Sequence, residues 1–98
     1  MTPELLAAVK NYLDITWTGD IELDAKLTGI ISRGIKFIDR HAGSTLDYSI
    51  EDNPRALLMD YCRYGWSNSL DEFTTNYLPE ILALEISESV KAYEATIV

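Results

Sequence analysis

One histidine, one cysteine and a short run of spaced carboxylates are where any chemistry in this chain would have to begin. His41 follows Asp39 and Arg40 at the end of an amphipathic stretch, where a positive charge suits the negative end of a helix dipole. A metal site needs several convergent ligands, and there is no second histidine to join it. Cys62 falls between Leu58 and Trp66 on an apolar face, with no basic neighbour on that face to lower its pKa, so it reads as a buried structural thiol. A single cysteine also rules out an internal disulfide and a thiolate metal cluster. Asp20, Glu22 and Asp24 have the opening spacing of a calcium loop. The positions that should hold its turn glycine and bidentate glutamate are Ala25 and Ile31, which makes the three acids helix-start residues instead. There is no Gly-rich phosphate loop, no GxSxG and no CxxC. The sequence predicts no catalytic residue, no cofactor and no metal, and a role other than an enzyme's.

The elements that would carry any other kind of site are helices. Thr2 and Pro3 suit the start of a first helix, Thr2 as cap and Pro3 with its φ pre-set, running to about Leu13 with Leu5, Val9, Tyr12 and Leu13 at helical spacing. DITWTGD then breaks it. Asp20 caps a second helix in which Leu23, Leu27, Ile30, Ile31, Gly34, Phe37 and Ile38 form one narrow apolar stripe that ends before Gly43. Gly34 lies within that stripe, so a second helix is expected to pack closely against it. Leu46, Tyr48 and Ile50 alternate with polar residues, which suits a short extended segment near 46–50. Asn53 before Pro54 repeats the capping logic, and Asn53–Phe73 reads as one third helix, apolar around most of its circumference. Pro79 suits the first turn of a further helix with Leu78, Leu82, Ile86, Val90 and Tyr93 at helical spacing. Leu82, Leu84 and Ile86 also fit alternation, so a C-terminal strand stays open. The expected fold is all-α, a bundle of about four helices in one domain over 1–98, with a core of Leu23, Leu27, Ile30, Ile31, Phe37, Ile38, Leu57, Leu58, Tyr61 and Cys62.

Charge limits the partners. Sixteen acids against eight bases give a net charge of −8, which opposes general binding to nucleic acid or to anionic membranes. No apolar run approaches the roughly 20 residues needed to span a bilayer, and the opening MTPELLAAVK lacks the features of a secretory signal, so a cytoplasmic origin is expected. Half of the basic residues fall on one face of the second helix: Lys26, Arg33 and Arg40 at intervals of seven, with Lys36 alongside. This face is either a solvated surface or a contact for an acidic one. With the aromatic residues Tyr64, Trp66, Phe73 and Tyr77, part of which the monomer's own fold is expected to leave exposed, Lys26, Arg33 and Arg40 make up a candidate subunit interface.

YLDI at Tyr12–Ile15, Asp20 with the Leu23/Leu27/Ile30/Ile31 helix, IDRHAGSTLDYS, and the aromatic NPRALLMDYCRYGWSNSLDEF together resemble the head–tail connector (adaptor, head completion) family of tailed phages, over roughly Leu5 to Ile86. The resemblance implies a structural virion protein of a phage or prophage, made in the bacterial cytoplasm. In that family small helical subunits form a ring under the portal, following its symmetry and extending the DNA channel, and they offer a platform to a stopper or tail-completion protein. DNA would pass through such a ring without being held tightly. The long run SNSLDEFTTNYLPEILALEI departs from the family pattern, and no binding element transfers residue by residue. The alternative is a small acidic helical binding or regulatory protein, a DNA mimic or adaptor acting on a basic partner. A mimic should gather its acids on one face, whereas here they scatter at helix starts and between apolar stripes.

Overall fold

Four helices form in the computed structural model, which describes residues 3–16 and 19–97: α1 (Pro3–Tyr12), α2 (Ile21–Ala42), α3 (Asn53–Trp66) and α4 (Leu70–Ile97). There is no strand among the described residues, so the bundle is all-α. The expected Thr2 cap lies outside the described residues.

The second helix follows its local chemistry closely. The Asp20 carboxylate accepts a hydrogen bond from the Leu23 N–H at 3.0 Å, satisfying a donor that the first helical turn leaves unpaired. At the other end Gly43 adopts φ 75°, a left-handed conformation that costs glycine nothing, and donates its N–H to the Asp39 carbonyl at 2.9 Å. Leu27, Ile30, Ile31, Gly34 and Ile38 are buried along the inward face, while Leu23 and Phe37 sit half-buried at its margin.

α3 is held by three neighbours, packing against α1, α2 and α4, which is why it is apolar on so many sides. Leu57, Leu58, Met59, Tyr61, Cys62 and Gly65 are all buried. Its cap is Asp52, whose carboxylate accepts from the Asn53 N–H at 2.8 Å; the expected cap, Asn53, is the first helical residue. The segment 44–52 is a loop and not an extended strand. It is pinned to α2 because the Leu46 N–H and the Tyr48 hydroxyl both donate to Asp39, at 3.2 and 2.7 Å. Arg55 also donates to the Tyr48 carbonyl at 3.1 Å.

The expected single helix from Asn53 to Phe73 is two. The chain turns at Ser67–Ser69, with Asn68 at φ 58°, in the left-handed region that asparagine tolerates better than most residues. The Ser69 N–H donates to the Tyr64 carbonyl at 2.8 Å, and α4 then starts at Leu70. Nor does a helix begin at Pro79. α4 runs through it, although an interior proline removes one ladder bond and costs about 3 kcal/mol. Phe73 and Tyr77 before the proline, and Ile81 and Leu84 after it, pack on the same core, and this holds both halves in line. Pro79 itself faces solvent, as does Thr75, whose carbonyl loses its partner.

Candidate assembly surface

Of the residues that could carry chemistry, Cys62, Asp20 and Asp24 have structural roles. Cys62 is fully buried, and burial pushes its thiol up to about 12, far from a nucleophile's range. His41 is exposed at the end of α2 with its ring 4.6 Å from that of Phe37. Asp24 pairs with Lys10 of α1. No group of three or more His, Cys, Asp or Glu among the described residues could hold a metal ion. No helix among them is long and apolar enough to cross a membrane.

Three of the candidate interface aromatics come together, but as a core seam. Phe73 is 1% exposed, with ring centroids 5.3 Å from Tyr61, 5.7 Å from Tyr64 and 4.9 Å from Tyr77. Phe73 is therefore not a surface residue, contrary to the sequence expectation: the turn at Ser67–Ser69 folds it back onto α3. Tyr64 and Tyr77 are half-buried at the rim of this cluster and hold polar contacts of their own. Asn76 donates to the Tyr64 hydroxyl at 3.0 Å, and Arg63 donates to the Tyr77 hydroxyl at 3.2 Å. Arg63 also lies 3.7 Å from Asp60, which accepts a 2.5 Å hydrogen bond from Tyr12 of α1. That bond to Asp60, with burial next, raises the Tyr12 pKa. A polar seam thus ties α1, α3 and α4 across the side of the bundle.

Trp66 is half-buried at the end of α3, and the Lys26 ammonium sits 4.9 Å from its ring centroid. Such a contact is worth about 0.5–1 kcal/mol at an exposed site. Lys26, Arg33, Lys36 and Arg40 all lie exposed on α2, and none of them has an ion pair among the described residues.

The surface that sequence reasoning missed is on α4. Its inward face is Phe73, Tyr77, Ile81 and Leu84, and Glu88 continues that line, accepting from the Ser44 hydroxyl at 3.0 Å. The bond from Lys91, and then that from Ser44, hold the Glu88 carboxyl below the ordinary glutamate range. At 100° per residue, Leu78, Leu82, Ile86, Val90 and Tyr93 point the opposite way. They are 47–66% exposed. The stripe that the sequence shows at helical spacing is therefore the outward face of the helix. The visible signal was two apolar stripes in one helix, since a helix apolar all round is one with more than one partner.

No family model, no curated protein and no solved structure matches the chain.

Proposed function

We propose that the chain is a non-enzymatic assembly subunit, a head–tail connector of a tailed phage or prophage, forming a ring under the portal between the DNA-filled head and the tail. The reading rests on the sequence resemblance, and one structural observation supports its assembly character. The outward face of α4 carries five large apolar side chains, about half or more exposed, along four helical turns with no charged residue among them. An apolar stripe of about 500 Å² is toward the upper end of what monomers expose, and patches of that size are often interaction sites.

The partners on this reading are other copies of the chain, the portal protein and a stopper or tail-completion protein. The net charge of −8 lets DNA pass a ring of these subunits without being gripped. The DNA-mimic alternative gains nothing from the exposed surface, where a basic strip without ion pairs among the described residues and an apolar stripe stand among the acids. Inactivating the gene in the genome that carries it is the test. Induced particles should be DNA-filled heads without tails, alongside free tails. Tailed particles in normal numbers, or no phage particles from that genome even with the gene intact, would refute the reading.

A further inference from the structure

We infer that the outward face of α4 docks on the outward face of α2 in a second copy of this chain, a head-to-tail contact between unlike surfaces. This deepens the connector reading and rests on the self-assembly it includes.

The two faces match in length. Leu78 to Tyr93 covers fifteen helical steps, about 22 Å, and Lys26 to Arg40 covers fourteen, about 21 Å. They also match in charge. Glu85 borders one edge of the α4 stripe and Glu94 the other; both are exposed and neither has an ion pair among the described residues. On α2 the exposed Lys26, Arg33, Lys36 and Arg40 lie on one face with Gly29 among them and a single acid, Glu22, one turn before Lys26. Long basic side chains lay their methylenes on apolar surface while their charged ends reach its acidic margins, which is the geometry this pairing asks of them. The five α4 side chains leave on the order of 500 Å² uncovered, so a two-sided contact buries about 1,000 Å², the size at which specific association begins.

Other occupants fit less well. Glu85 and Glu94 flank the α4 stripe and no Lys or Arg does, so two α4 helices placed face to face would set acid against acid. A membrane surface is disfavoured for the same reason, because helices that lie on anionic lipid flank their apolar face with Lys and Arg. Because the two surfaces differ, each copy uses one face to receive and the other to insert, and such contacts propagate into rings or filaments.

Two variants test this in the full chain. One carries Leu82→Glu with Ile86→Glu; the other carries Arg33→Glu with Lys36→Glu. All four side chains are exposed, so far-ultraviolet circular dichroism and thermal midpoints should stay near those of the parent. Sedimentation velocity at rising concentration should show self-association of the parent, weakened at least ten-fold in each variant alone. An equimolar mixture of the two should form a dimer and stop there, because only one intact α4 face and one intact α2 face remain. A parent that stays monomeric at millimolar concentration overturns the contact. So does either variant associating as tightly as the parent, or a mixture that does not pair. The connector reading fails separately: a parent that pairs through these faces, from a genome whose particles keep their tails without the gene, keeps the contact and loses the reading. Tailless particles from the gene knockout, together with variants that assemble like the parent, do the reverse.

Discussion

Gly34 of α2 lies so near Tyr61 of α3 that a Cβ at position 34 would stand 2.7 Å from the Tyr61 Cδ1 and 2.8 Å from the Leu58 Cδ1. The α2–α3 contact is set by that missing methyl group. Gly65 repeats the device from the other helix, where a Cβ would come within 2.8 Å of the Ile30 Cγ2. Both glycines are buried.

Gly34 and Gly29 should therefore respond oppositely to the same substitution. Gly34→Ala forces the Tyr61 ring aside and should destabilise the fold by about 1–3 kcal/mol, the usual range for overpacking. At Gly29 a Cβ meets only the end of the flexible Arg33 side chain, at 3.3 Å. Gly29→Ala should stabilise by up to about 1 kcal/mol, the helix-propensity gain. Urea unfolding followed by circular dichroism measures both, and equal effects would contradict the packing described.

Phe73 should behave as core and not as interface. Phe73→Ala removes the ring that Tyr61, Tyr64 and Tyr77 surround and should cost about 3–5 kcal/mol, enough to unfold much of so small a domain. A folded Phe73→Ala protein with a near-parental urea midpoint would show that the ring is not enclosed.

Alkaline pH should weaken the fold by a traceable route. Burial raises the Cys62 pKa from an ordinary 9.0 to about 12, and burial followed by the Asp39 bond raises that of Tyr48. Both are acids that the folded state keeps neutral. The unfolded chain loses these protons first, so it binds fewer protons than the native state, and stability falls as pH rises above about 9. Cys62→Ala should delay the start of that fall towards the tyrosine range while lowering stability at neutral pH. Denaturation midpoints from pH 7 to 11 check it; the same alkaline slope in parent and variant would assign the loss elsewhere.

The second helix was legible in the sequence because three signals agreed: the Asp20 cap, a single apolar stripe and the closing Gly43. The Gly34 contact followed from its place in that stripe. The break at Ser67–Ser69 was not legible from periodicity, since Trp66, Leu70 and Phe73 continue the apolar pattern across it. The signal was Ser69-Leu70-Asp71-Glu72, a serine followed three residues later by glutamate, which is how a helix start reads. The same break decides the candidate surface. It sends Phe73 inward and makes α4 one long helix with two apolar faces, and sequence alone cannot say which face the rest of the bundle covers. The basic strip was legible because its residues share one helix face. That it forms no ion pair among the described residues depends on distances between helices that no local pattern records.

The most direct test of the central claim is microscopy of particles made with Leu82→Glu and Ile86→Glu in place of the parental residues. The expected result is a protein that folds as before and DNA-filled heads that lack tails, because the α4 face no longer joins the assembly. Tailed particles in parental numbers, with the variant protein folded and present, would contradict the assignment of that face to assembly.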